Sequence, residues 1–395
     1  MQQNTIYTPM RKFLFLSFSL VLFQCAQNES SPDAVKEPIQ FETLKEAYTG
    51  VFKIGSAISG NIIEGNDAAS MQIIKKHFNT ITAENVMKAG PINPEPGVFN
   101  FGPADEYVKF GNENDMFTVG HTLVWHNQTP GWFFTDENGK PNTPDAQKKR
   151  LHDHIKEIAG RYAGKVDAWD VVNEVIDNDG SYRPTTWVEG IGDGDELVRL
   201  SFKYANQYDP DAELYYNDFN AWRPTKRDGI ARMVRMLQKE GIRIDGVGIQ
   251  GHWGLNFPKN EYIEAAIDTF ANLGVKVMIT ELDVDVLPLT REGQIIGTGM
   301  FHPQFQLEEF KEYLDPYPNG LPDSVQQKLT TRYEELFEIF YRKRDKIDRV
   351  TLWGVHDGQS WKNGYPIPNR RNYPLLFDVD KKEKPALKAV LAVPQ

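Results

Sequence analysis

From about Phe41 onward, short apolar and β-branched runs alternate with longer stretches whose apolar residues recur every three or four positions. The short runs are FKIGSAI from Phe52, NTITAEN from Asn79, FTVGHTLVW from Phe117 and VDAWDVVNE from Val166. They continue with ELYYNDFN from Glu213, DGVGIQGH from Asp245, KVMITELD from Lys276 and RVTLWGV from Arg349. Several are apolar almost without a break, as strands buried on both faces must be. The stretches between them, such as DAQKKRLHDHIKEIAGRYAG and TKRDGIARMVRMLQKEG, carry one apolar stripe each and read as helices packed on a sheet. Eight such βα repeats predict an α/β fold, a single (β/α)8 TIM barrel. A doubly wound open sheet is the competing arrangement. The GSAISGN segment after the first run has neither the dinucleotide-binding nor the P-loop glycine spacing, which argues against it.

The N-terminus breaks the pattern. Arg11 and Lys12 precede an apolar run from Phe13 to Phe23 that suits a signal peptide and is too short to span a bilayer. MRKFLFLSFS, from Met10, is a more usual opening than the nine residues before it. Cys25 follows the run directly, as the acylated cysteine of a bacterial lipoprotein does, although Phe23 and Gln24 stand where small residues are usual. Residues 1–25 are therefore expected to be a signal peptide of lipoprotein type, 26–40 a polar tether and 41–395 the barrel. The expected location is outside the cytoplasm, as an outer-membrane or cell-surface lipoprotein, with a secreted or periplasmic protein as the alternative. Contact with a membrane is expected only through a lipid on Cys25.

Composition narrows the chemistry. The chain has 395 residues, which admits two or three domains as readily as one barrel. Its one cysteine excludes an intrachain disulfide, a zinc ribbon and an iron–sulfur cluster. Lys and Arg number 44 against 55 Asp and Glu, a net charge of −11, which argues against a nucleic-acid partner and leaves a neutral one open. Eight Trp, 16 Tyr and 23 Phe are enough to fill a large core and still leave platforms for ring-shaped ligands.

In a barrel the chemistry sits at the C-terminal ends of the strands. Polar residues collect there in seven of the eight runs: Glu84, Asn85 and Lys88; His121, Trp125, His126 and Gln128; Asn173 and Glu174; Asn217, Asp218 and Asn220; Gln250 and His252; Glu281 and Asp283; and Trp353, His356, Asp357 and Trp361. Glu174 follows VVN and Glu281 follows MIT, so each carboxylate ends an apolar strand, where it is costly unless bonded or used. A salt bridge to a neighbouring strand is the structural alternative for either one. Two glutamates on opposed strands suit glycoside hydrolysis, in which one carboxylic acid protonates the leaving oxygen and the other attacks the anomeric carbon or activates water. No GxSxG elbow, HExxH motif or other metal set is present. His152 and His154 lie on a predicted helix and are expected to be solvated.

The segments TAENVMK, GHTLVWHNQTPGW, WDVVNEV, YYNDFN, GIQGHW, ITELDVD and LWGVHDGQSW resemble, in order and spacing, the family 10 glycoside hydrolases, the endo-1,4-β-xylanases of the barrel type. The similarity runs from about residue 50 to the closing PLLFD and KPAL segments. It implies retention of anomeric configuration, with Glu174 as general acid/base, Glu281 as nucleophile and their carboxyls about 5–5.5 Å apart. It implies that Asn173 binds a sugar hydroxyl, and that His252 and Asp283 hold Glu281 ionised while Glu174 keeps a raised pKa. Lys88, His121 and Gln250 would then contact the sugar at the cleavage site. Glu84, Asn85 and Gln128 would contact the next sugar on the non-reducing side, with Trp125, Trp353 and Trp361 as aromatic walls. Crowding by Trp353, Trp361 and Gln128 would exclude the hydroxymethyl group that glucose has and xylose lacks. No cofactor or metal is implied, xylan or xylo-oligosaccharide is the partner, and a monomer is expected.

Two departures stand out. Ala89 occupies a position where the family commonly has Trp, which puts the local packing in question. The stretch from Asp285 to about Phe305 is long for the loop after the seventh strand and is expected to be a passive insertion, with reshaping of the reducing-side subsites as the alternative. A β-glucanase or mannanase on the same barrel, or a non-catalytic surface glycan-binding protein, are the rival functions.

Overall fold

The computed structural model describes residues 40–287, 315–365 and 369–394. The segment expected to be a signal peptide, Cys25, the expected tether before Gln40 and the stretch beyond Leu287 lie outside these residues. The strands are β1 (Lys53–Ile58), β2 (Thr80–Ala83), β3 (Phe117–Val124), β4 (Ala168–Asn173), β5 (Glu213–Asp218), β6 (Gly246–Ile249), β7 (His252–Gly254), β8 (Lys276–Asp285) and β9 (Ile347–Leu352). Every adjacent pair is parallel, in the order β6-β5-β4-β3-β2-β1-β9-β8, and a β6–β8 pairing closes the eight into a barrel. All eight expected strands are present.

The sixth predicted run divides in two. After Ile249 the chain turns at Gly251, whose φ is +86°, and resumes as β7 on the outer end of β8, with His252 opposite Asp283. A side chain at Gly251 would crowd Ile279 and the Leu282 backbone, so only glycine lets β7 come this close. The offset sets His252 beside the carboxylates of β8.

Long helices follow the strands and cover the barrel. Pro144–Tyr162 shows why they form: the Thr143 hydroxyl accepts from the Ala146 N–H, Pro144 and Asp145 suit the first turn, and Leu151, Ile155, Ile158 and Tyr162 make one buried stripe. Most buried apolar residues join one cluster between wall and helices, while Val119, Ala168, Tyr215 and Met278 form a second. His154 does not meet the expectation of solvation. It is buried in the helix stripe, its Nε2 lies 2.8 Å from the Leu123 carbonyl oxygen, and burial pushes its pKa down to about 4. His152, half-buried, pairs with Asp153. His356 and Asp357 bind structure: Asp357 accepts from Lys384 Nζ at 2.9 Å and from the Leu375 N–H at 2.8 Å, and His356 Nε2 lies 3.6 Å from Asp67. Ala89 is buried in the main core.

Two glycines separate packing from propensity. A Cβ at Gly120 in β3 would lie 2.3 Å from the buried Trp169 ring, so Gly120→Ala is expected to cost at least about 1–3 kcal/mol. Gly160 is helical and exposed with nothing near its Cβ position, so Gly160→Ala should stabilise by up to about 1 kcal/mol. Thermal unfolding followed by circular dichroism checks both; a Gly120→Ala protein as stable as the parent would contradict the packing.

Candidate functional site

The site forms at the ends of β2 to β6 and β9, with the start of β7 and the interior of β8. Glu174 directly follows β4 and has a φ of +62°, a conformation that non-glycine residues rarely adopt. Its N–H donates to the Asn217 carbonyl oxygen at 3.0 Å, which keeps it tied to β5 while the chain leaves the barrel wall. Glu281 lies within β8, and its N–H donates to the Gln250 carbonyl oxygen at 2.6 Å. Both side chains are buried.

The two carboxylates meet different partners. Glu281 Oε1 accepts from Asn217 Nδ2 at 2.7 Å, and Oε2 lies 3.0 Å from His252 Nε2. The Thr280 hydroxyl donates to Asn217 Oδ1 at 2.6 Å, which turns the amide nitrogen toward Glu281. His252 Nδ1 in turn lies 3.0 Å from Asp283 Oδ2. Burial would lower the His252 pKa, but Asp283 and Glu281 outweigh it and lift the imidazole to about 9. Asp283 is held below the usual carboxylate range, against its own burial, by His252, Lys362 and a 2.9 Å bond from the Trp361 indole. Lys362 bridges Asp283 and Asp285 at 3.4 and 3.3 Å. The assembly is a row of charged groups, with the His252 imidazolium between the carboxyls of Glu281 and Asp283 and the Lys362 ammonium beyond Asp283.

Glu174 Oε1 accepts from Gln250 Nε2 at 2.9 Å, and Oε2 lies 3.6 Å from Arg183 Nη1. Burial pushes this carboxyl up, yet hydrogen bonds from Gln250 and Trp125 and the charges of Arg183 and His126 bring it below the ordinary value. The expectation of a raised Glu174 pKa therefore does not hold for the free protein. The donors that stabilise its anion, arriving from β3, β6 and the loop after β4, outweigh desolvation.

The remaining expected residues gather around these two. Lys88 Nζ donates to Asn85 Oδ1 at 3.0 Å and lies 4.7 Å from the centre of the Trp125 ring. Burial lowers the Lys88 pKa while Glu281, Glu84 and Glu174 hold its charge. Glu84 is pushed up by burial and restrained by Lys88. Gln128, also at positive φ, donates to Asn85 Oδ1 at 3.3 Å. His121 Nδ1 is 2.8 Å from Asp170 Oδ2, deep in the wall. Asn173 satisfies both ends of its amide when its nitrogen faces the Asn217 carbonyl oxygen at 3.0 Å and its oxygen the Trp125 indole N–H at 3.3 Å. Trp353 is mostly buried, edge-on to His121 and His252, whereas Trp361 stands open beside Tyr365.

The structure adds residues that sequence reasoning left out of the site. Asn217 sits on Glu281 and Thr280 on Asn217, Asp170 on His121, Lys362 on Asp283 and Arg183 on Glu174. Asn217 stood among the polar strand ends and carried a signal. Arg183 lies in a loop and had none. Among the described residues, no group of three His, Cys, Asp or Glu side chains is placed to hold a metal ion.

Comparison with known proteins bears on this arrangement. Endo-1,4-beta-xylanase A of Xylanibacter ruminicola is 40% identical over 349 residues, 88% of this chain and 92% of that protein. Beta-1,4-xylanase of Dictyoglomus thermophilum is 39% identical over 351 residues, 88% of this chain and 90% of that one. A solved GH10 endoxylanase from a sugarcane soil metagenome superposes with a TM-score of 0.81 at 39% identity, covering 89% of this chain and 99% of that chain. A variant solved in complex with xylotriose gives 0.77 at 35% identity, with coverage of 89% and 99%. The pattern of glycosyl hydrolase family 10 matches residues 43–393, and the chain belongs to that family.

Proposed function

We propose that the protein hydrolyses internal β-1,4-xylosidic bonds of xylan with retention of configuration, using Glu281 as nucleophile and Glu174 as acid/base. The observation that carries this is the pair of buried carboxylates just after β4 and within β8, each in its own environment. Asn217 Nδ2 and His252 Nε2 hold the two oxygens of Glu281 in place, which suits attack on the anomeric carbon. In the first step the bond from that carbon to Glu281 forms, the bond to the leaving oxygen breaks, and the proton of Glu174 passes to that oxygen. In the second, Glu174 takes a proton from water, the water oxygen bonds to the anomeric carbon, and the ester to Glu281 breaks.

Glu174 must be protonated for the first step and ionised for the second. The free-protein environment favours the ionised form. A sugar seated on Trp125 and Gln250 removes water from the carboxyl and draws on its donors, which shifts Glu174 toward the acid. The substrate assignment is supported by relatives named as xylanases and by the related variant solved with xylotriose. Trp125 and Trp361 offer indole faces for a pyranose, and Asn85, Lys88 and Gln128 offer partners for its hydroxyls. The enzyme acts outside the cytoplasm as a monomer, held to a membrane through a lipid on Cys25.

Glu281→Ala is expected to abolish release of reducing ends from xylan. Glu174→Ala should lose far more activity on xylan than on an aryl β-xylobioside with a good leaving group, which needs little acid assistance. Proton NMR of the first-formed product should show the β anomer; an α product would refute retention. Xylan should be cleaved much faster than carboxymethylcellulose, and equal rates would move the assignment to a glucanase.

The His252 ring should titrate near pH 9 by nitrogen-15 NMR. Because its folded value lies above the ordinary value of about 6.5, its contribution to stability is complete below that pH and is lost as the pH rises through 9. Denaturant melts between pH 6 and 10 should show this loss in the parent and little of it in His252→Asn. An imidazole titrating at its ordinary pH would contradict the charge row.

A further inference from the structure

The chain doubles back directly after Glu174. Ile176 pairs with Tyr182, the Asp177 N–H donates to the Ser181 carbonyl oxygen at 2.8 Å, and the Arg183 N–H donates to the Val175 carbonyl oxygen at 2.8 Å. This hairpin is held against the helix Pro224–Lys239. A Cβ at Gly229 would fall 2.4 Å from the Gly180 carbonyl oxygen, so the two backbones touch. The Thr225 hydroxyl donates to the Asn178 carbonyl oxygen at 2.6 Å, and Arg232 Nη2 to that of Gly180 at 3.2 Å. The arm that carries Arg183 is thus fixed at both ends.

Its side chain crosses the Phe219 ring at 4.8 Å and ends 3.6 Å from Glu174 Oε2, with 19% of its surface exposed. That separation is too long for a hydrogen bond and short enough for a strong charge interaction in a partly buried setting. Lys226 covers Phe219 at 3.8 Å and is fully buried, paired with Asp218 Oδ1 at 2.7 Å. Asp218 is therefore engaged, and Glu174 is the carboxylate that Arg183 faces among the described residues.

We propose that Arg183 is a positioning residue for the acid/base glutamate: it holds Glu174 Oε2 and stabilises the charge that the carboxyl gains whenever it gives up its proton. The role rests on the assignment of Glu174 above. Arg183 makes Glu174 a stronger acid for the first step and a better-populated base for the second. Other groups face the same carboxyl. His126 and Trp125 come from the end of β3, Lys88 from the segment after β2, Asp218 from β5, Lys226 from the Pro224–Lys239 helix and Gln250 from the end of β6. Asp218 opposes Arg183, and burial raises its pKa to about 6 although Lys226 lowers it. Among the described residues, Arg183 is the cation in ion-pair contact with Glu174.

The test is the pH profile of kcat/KM on a xylo-oligosaccharide for the full chain and for Arg183→Lys, Arg183→Met and Arg183→Gln. Removing a cation raises the carboxyl pKa, so the protonated acid persists to higher pH. The alkaline limb should move up by about one pH unit in Met and Gln, and Lys should stay near the parent. With an aryl xylobioside of good leaving group, where breakdown of the intermediate limits turnover, Met and Gln should lose several-fold in kcat below the new pKa. Met keeps an apolar stem on Phe219, so at least one neutral variant should fold by circular dichroism. An alkaline limb unmoved in a folded neutral variant overturns the role, whatever its rate. A parent protein that cleaves no β-xyloside overturns the functional assignment instead, so the two failures are distinct.

Discussion

Two carboxylates lie out of water at the mouth of one barrel, and each must be solvated by the protein. A buried carboxylate costs several kcal/mol unless donors reach it in good geometry. Neighbouring residues on its own strand point to alternate faces and cannot supply them. The donors therefore come from other strands: Asn217 from β5 and His252 from β7 for Glu281, Gln250 and Trp125 from the ends of β6 and β3 for Glu174. Closure of the eight strands brings these ends together, and the offset of β7 at Gly251 brings His252 in.

The same arrangement divides the charge. Glu281 is joined to a row in which an imidazolium sits between two carboxylates and an ammonium ends the line. Such a row holds the charges of His252, Asp283 and Lys362 firmly and fixes both oxygens of Glu281 in place. Glu174 is held by a neutral amide, an indole and a guanidinium beyond hydrogen-bond reach. Its charge is favoured without being locked into such a row.

Much of this was legible in the chain. The eight apolar runs became the eight barrel strands because strands buried on both faces leave an uninterrupted signal. Glu174, Glu281, Asn173, Gln250, His252 and Asp283 stood at the ends of such runs, and the closed sheet gathers those ends. Trp353 and Trp361 were read alike, yet one is buried edge-on between histidines and the other is open. His154, expected on a solvated face, sits in the helix stripe because Leu123 offers its ring an acceptor.

The sequence by itself determined the strands, their order around the barrel and the two glutamates, since these follow from hydrophobic period and from polar residues at strand ends. Tertiary structure decided which partners each glutamate meets. Whether the Glu174 carboxyl is held low or high depends on groups that only the fold brings to it, Arg183 across a hairpin and Gln250 from the end of β6. Electrostatic energy falls with separation in space, and separation along the chain does not report it. For that reason the raised pKa expected of Glu174 was reversed, and Arg183 became visible only once the hairpin folded back against Gly229.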